Sequence, residues 1–139
     1  MNSFALADCT TVNAALSQLK DGAVIKAGGI DLLERMKNGT IQPSKLVNIR
    51  NISSLRGIHE TENGLTIGAL TTLAEISEHP QIRAQYQILS DACGHAATPN
   101  IRNGATFLPP SWASCLLRRR PGLICGPFFS KAVTVRSRI

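Results

Sequence analysis

The first 106 residues predict an α+β domain with some α/β character, and three patterns carry that prediction. Apolar residues recur at helical spacing in Val12, Ala15, Leu16 and Leu19. A short apolar strand then runs into Gly28-Gly29 and a second amphipathic segment, giving strand, turn and helix in succession. Farther on, Asn63-Gly64 separates two strand-like runs, and a hairpin there demands antiparallel pairing. Helices and strands alternate, but a plain doubly wound parallel sheet does not fit.

Each element has a local reason. A threonine at Thr10-Thr11 is available to cap the first helix, and Asp21-Gly22 closes it as a turn. Ala23–Ala27 reads as a short buried strand. The helix Asp31–Lys37 ends at Asn38-Gly39, a pair suited to a C-cap because both residues tolerate a left-handed backbone. After Pro43, Leu46–Ile49 is strand-like, and Ser53–Leu55 makes a single turn into a strand over Arg56–Glu60. Leu65–Ala69 pairs back across the hairpin. Thr72 caps a helix over Leu73–Glu78 that stops before Pro80. A further helix over Gln85–Ala96 places Ile88, Leu89 and Ala92 on one face, and Pro99–Gly104 reads as a polar loop.

Charge divides the chain at the same point as pattern. Residues 1–106 hold nine Lys/Arg against nine Asp/Glu, whereas residues 107–139 hold six basic residues, no acidic one and four of the seven prolines. The net charge of +6 thus belongs to the tail, for which an irregular conformation is expected. No apolar run approaches the ~18–20 residues that span a bilayer, and the N-terminus lacks the basic start and apolar stretch of a secretory signal. A cytoplasmic location is expected. The four cysteines form no C-x-x-C pair and have no histidine cluster beside them, so they read as reduced thiols and not as a metal site. His59, His79 and His95 are scattered, with no Ser, Cys or carboxylate at suggestive spacing, and no catalytic side chain is expected.

The segment with the most chemical content is Lys26-Ala27-Gly28-Gly29-Ile30-Asp31-Leu32. Two residues without Cβ between a strand and a helix expose backbone N–H groups, and the helix adds about half a positive charge at its N-terminus. Phosphate or pyrophosphate suits both features. Asp31 is available either as a cap or near a ligand. The pattern is neither G-x-G-x-x-G nor a P-loop, so Rossmann and Walker sites lack their required residues.

Four blocks together are more specific. Ala27–Leu33, Leu46–Ile49, Gly64–Ile76 and Ala97–Thr106, in that order and spacing, resemble the FAD-binding subunit or domain of the molybdenum hydroxylases, the family of xanthine dehydrogenase and aerobic carbon monoxide dehydrogenase. The resemblance implies the N-terminal part of a vanillyl-alcohol-oxidase-type FAD-binding domain, with FAD as cofactor. It implies electron transfer with an iron–sulfur subunit and a molybdenum-cofactor subunit of the same complex. It sets the FAD pyrophosphate on Ala27–Asp31, flanked by Lys26 and Leu32, and brings Gly68 and the Ala97–Thr106 loop near the cofactor.

Beyond Thr106 the resemblance stops. The family continues with a second glycine turn, whereas this chain reads Phe107-Leu108-Pro109-Pro110-Ser111-Trp112. Residues 107–139 are therefore expected to be either a frameshift product or a natural ending. With one of two pyrophosphate turns present, FAD binding is expected to be weakened and the chain inactive alone. The rival reading is a non-enzymatic module whose Arg118-Arg119-Arg120, Lys131, Arg136 and Arg138 bind a polyanion. Trp112, Phe128 and Phe129 sit in no stacking motif, so a nucleic-acid partner is not expected. Arg102 is suited equally to an anion and to anchoring its own loop.

Overall fold

The computed structural model describes residues 3–20, 22–62 and 64–107, together with the backbone of 132–135. Readings that rest on Asp21, Asn63, Trp112, Cys115, Arg118–Arg120, Cys125, Phe128, Phe129, Lys131, Arg136 and Arg138 lie outside these residues. The described residues fall into two compact units, one ending at Ser54 and the other running from Leu55 to Phe107 with the strand at 132–135.

The first unit is a parallel three-stranded sheet with two helices. Its strands are β1 (Ala5–Asp8), β2 (Ala23–Lys26) and β3 (Lys45–Asn48), in the order β1-β3-β2. Helix α1 (Val12–Gln18) joins β1 to β2, and α2 (Ile30–Lys37) joins β2 to β3. Thr11 is the N-cap of α1, its hydroxyl accepting from the Ala14 amide at 3.2 Å. The α2 end is a Schellman turn. Gly39, at φ +70°, donates to the Met36 carbonyl at 3.2 Å, and Thr40 donates to that of Arg35 at 2.9 Å. Leu32, Met36 and Leu46 form the core with Phe4, Val24, Leu33 and Ile41 around them. Strand β1 is an addition to the sequence reading. Its Ala-Leu-Ala-Asp has little strand preference, and pairing to β3 supplies the order.

The second unit is antiparallel and helical. Strands β4 (Ile58–Thr61), β5 (Gly64–Gly68) and β6 (Ala132–Val135) form a sheet in that order. Helices α3 (Leu73–Glu78), α4 (Pro80–Gln85), α5 (Gln87–His95) and α6 (Pro99–Gly104) accompany it. Leu65, Ile67, Ile76, Ile82 and Cys93 are buried together. Thr72 opens α3 with a full capping box: its hydroxyl accepts from the Glu75 amide at 3.2 Å, and Glu75 accepts from the Thr72 amide at 2.6 Å.

Four expectations change here. The tail, expected to be irregular, contributes β6, whose backbone pairs with β5 from Ala132↔Gly68 to Val135↔Leu65. Pro80 starts a helix as well as ending one, because its missing N–H costs nothing at N1, and Tyr86 (φ −133°, ψ 49°) separates that helix from α5, which fills Gln87–His95 of the helix expected over Gln85–Ala96. Ser90 and Cys93 turn inward while Ile88 is 88% exposed, the reverse of its expected place. Finally, Pro99–Gly104 winds into a helix instead of a loop, with Arg102 N–H on the Thr98 carbonyl at 3.0 Å and Ala105 N–H on that of Ile101 at 2.7 Å.

Candidate functional site

In a parallel sheet all strand C-termini reach one edge, the edge where α/β proteins place ligands. Here Asp8, Asn48 and Lys26 stand in register across β1, β3 and β2, and Asn48 donates from its amide to Asp8. The Lys26 carbonyl accepts from Ile49 at 3.0 Å, which ties the end of β2 to the chain leaving β3. The Ala27–Gly29 turn begins at this edge.

The turn then bends sharply into α2. Gly29 is buried, is the N-cap, and has φ +93° with ψ −6°, a left-handed backbone that side chains rarely adopt. As glycine it brings no capping oxygen. The first α2 bond runs from Leu33 N–H to the Gly29 carbonyl at 2.9 Å, so the amides of Ile30, Asp31 and Leu32 precede the helical ladder and have no acceptor within it. A Cβ built on Gly29 would lie 3.4 Å from Lys26 Cε and 3.8 Å from its Cγ, so the lysine stem runs along the turn.

Each residue therefore has a distinct capacity. Ala27 is 3% exposed, so its methyl is packed inside the protein. Leu32 points into the core against Met36 and Leu46, and only its backbone is available to a ligand. Asp31 occupies the first turn and is not the cap, which decides one of its two sequence readings. Its exposed carboxylate complements the helix dipole. The arrangement offers fixed amides and a nearby ammonium, the chemistry of a phosphate cradle.

The other three candidates belong to the second unit. Gly68 is buried, and a Cβ there would fall 2.5 Å from the Leu55 carbonyl oxygen and 2.8 Å from the Arg56 carbonyl carbon. Close backbone approach is a sufficient reason for glycine at that position. Thr71 links Gly68 to the Thr106 region, its amide on the Gly68 carbonyl at 3.0 Å and its carbonyl accepting from Phe107 at 2.8 Å. Thr106 itself forms a bridge with Thr72. Ala97 lies at the opposite end of α6, at φ 53°. Sequence reasoning could not find this backbone, because alanine carries no left-handed signal. It left Arg102 undecided, and the structure gives that side chain to the loop: its Nη1 donates to the Ala97 carbonyl at 2.8 Å and the Ala96 carbonyl at 3.2 Å.

Residues 2–107 match the model of the FAD binding domain in molybdopterin dehydrogenase. The chain belongs to this family. Among similar proteins, the carbon monoxide dehydrogenase medium chain of Hydrogenophaga pseudoflava is 38% identical over 94 residues, covering 68% of this chain and 33% of the relative. The nicotinate dehydrogenase FAD-subunit of Eubacterium barkeri is 36% identical over 93 residues, covering 66% and 31%. A solved structure of carbon monoxide dehydrogenase from Hydrogenophaga pseudoflava superposes with a TM-score of 0.72 at 34% identity, over 76% of this chain and 38% of that one. The α+β fold is that of these FAD-binding domains, and the chain spans about a third of the length of the relatives it matches.

Among the described residues no group of three or more His, Cys, Asp or Glu is placed to hold a metal ion, and no helix is long and apolar enough to cross a membrane. Cys9 and Cys93 are buried free thiols, and burial pushes the Cys93 thiol above its ordinary value.

Proposed function

We propose that this chain holds FAD for a cytoplasmic, molybdenum-containing hydroxylase or dehydrogenase, with the pyrophosphate on the turn from Lys26 to Leu32. The observation that carries the proposal is the Gly29 backbone at φ +93°, which starts α2 without a side-chain cap and leaves its first amides for an anion. The residues fit such a group. Gly28 and Gly29 interpose no side chain, Ala27 leaves the backbone close, and Lys26 brings a positive charge. Gly68, Ala97 and Thr106, in the second unit, are proposed as cofactor-binding on the family resemblance. When bound, FAD supplies the electron transfer, and the protein's part is to bind and orient it. The natural partners are an iron–sulfur subunit and a molybdenum-cofactor subunit.

The test is a titration of the purified full chain with FAD, followed by flavin fluorescence and by equilibrium dialysis. Saturable binding that ADP competes away is expected, since ADP carries the same pyrophosphate. An absence of saturation up to about 1 mM, where binding free energy is only roughly −4 kcal/mol, would refute the proposal.

A further inference from the structure

Ala97 occupies a left-handed backbone at φ 53°, which L-residues other than Asn and Asp avoid because Cβ crowds the following carbonyl. Such a conformation persists only where the surroundings over-determine it. The surroundings here are compact. Arg102 reaches back five and six residues, and one guanidinium nitrogen, Nη1, donates to both the Ala97 carbonyl at 2.8 Å and the Ala96 carbonyl at 3.2 Å. Its own amide donates to the Thr98 carbonyl at 3.0 Å, so one residue fixes three successive carbonyls of the turn from backbone and side chain together. Thr98 is the N-cap of α6 without a side-chain capping bond, and Pro99 follows at N1, so neither supplies the missing restraint. The far end of α6 is also anchored, with Ala105 accepting from the Leu73 amide at 3.0 Å and Phe107 donating to the Thr71 carbonyl at 2.8 Å.

We infer that Arg102 is a positioning residue: its guanidinium holds Ala97 left-handed, and this clamp sets the Ala97–Thr106 segment in the form that receives FAD. The inference rests on the FAD reading above and assigns Arg102 no contact with the flavin. A clamp acting through backbone strain has a signature that a direct ligand contact lacks. Glycine at position 97 adopts the left-handed backbone without Cβ crowding, so Ala97→Gly compensates for a missing clamp and does nothing for a missing ligand contact.

The experiment uses four full-length chains: wild type, Arg102→Ala, Ala97→Gly and the double variant. Thermal unfolding without flavin and FAD affinity are measured on each. Arg102→Ala is expected to lower the melting temperature and weaken FAD binding roughly tenfold, the scale of one charge-assisted hydrogen bond. The double variant is expected to regain most of both. Unchanged FAD affinity in Arg102→Ala, or no recovery in the double variant, overturns the inference. A wild-type chain that binds no FAD removes the flavin part together with the reading it rests on. The melting temperatures then decide the clamp alone, because its two sites must still couple.

Discussion

Replacing Gly29 by alanine probes the turn, and Gly39→Ala is its control at the other end of the same helix. Both glycines have positive φ, +93° and +70°. A Cβ at Gly39 would meet nothing within 4 Å, and one at Gly29 would meet first the flexible Lys26 Cε at 3.4 Å. Steric cost is therefore small at both, and the backbone term of roughly 1–2 kcal/mol dominates. Alanine recovers roughly 0.5–1 kcal/mol of that by restricting the unfolded chain. Each variant should lose about 1 kcal/mol, or about 4–8 °C in melting temperature for a domain of this size. The two should separate in FAD affinity. Relieving the strain at Gly29 swings the Ile30 and Asp31 amides away from the proposed pyrophosphate position, and each lost charge-assisted bond costs roughly 1.5–3 kcal/mol, tenfold or more in affinity. Gly39→Ala should bind FAD as the wild type does. Dialysis at a temperature well below both melting points reads the difference. Equal loss in both variants, or wild-type affinity in Gly29→Ala, would refute the reasoning.

Three further outcomes follow from the second unit. Gly68→Ala sets a methyl 2.5 Å from the Leu55 carbonyl oxygen, which cannot rotate away, so urea unfolding should show a loss of about 3 kcal/mol; a loss under about 1 kcal/mol would mean that the Leu55–Gly57 segment yields freely. Thr72→Ala removes the hydroxyl that the Glu75 amide donates to and should cost about 1 kcal/mol by the same measurement. Burial raises the Cys93 thiol above 9.0, so the folded state keeps a proton that the unfolded state releases first. This contribution is complete below 9.0 and is lost as pH climbs above it, giving a stability that falls with alkaline pH and a shallower fall in Cys93→Ala.

Where the sequence was legible, the code was local. Asn38-Gly39 specifies its Schellman turn, Thr72-x-x-Glu75 its capping box, and Gly28-Gly29 a strand-to-helix turn, because each depends on the φ or the hydrogen-bonding reach of residues within one helical turn. What stayed hidden depends on distant partners. Ala5–Asp8 becomes a strand only through β3, which is forty residues farther along. Val133-Thr134-Val135 carries the β-branched residues of a strand, yet nothing near it in sequence reveals that β5 is its partner. Tyr86 separates α4 from α5 without Gly or Pro, and α5 packs through Ser90 and Cys93, which leaves Ile88 outward.

The candidate site divides along the same line. At Gly29 the backbone angle alone accounts for glycine, since a Cβ would meet only a flexible lysine stem; the turn's geometry is visible both in the sequence and in the fold. At Gly68 two reasons coincide, because the Leu55 carbonyl forbids a side chain whether or not a flavin lies nearby. The glycine at that position therefore carries no independent weight for cofactor binding, although the family resemblance marks it. Ala97 is the converse case: its residue type announces nothing, while its left-handed backbone and the two carbonyls held by Arg102 identify a turn whose shape is imposed. The proposal of a shaped turn in the second unit accordingly rests on position 97 and not on position 68, and the coupled Ala97→Gly and Arg102→Ala variants are its test.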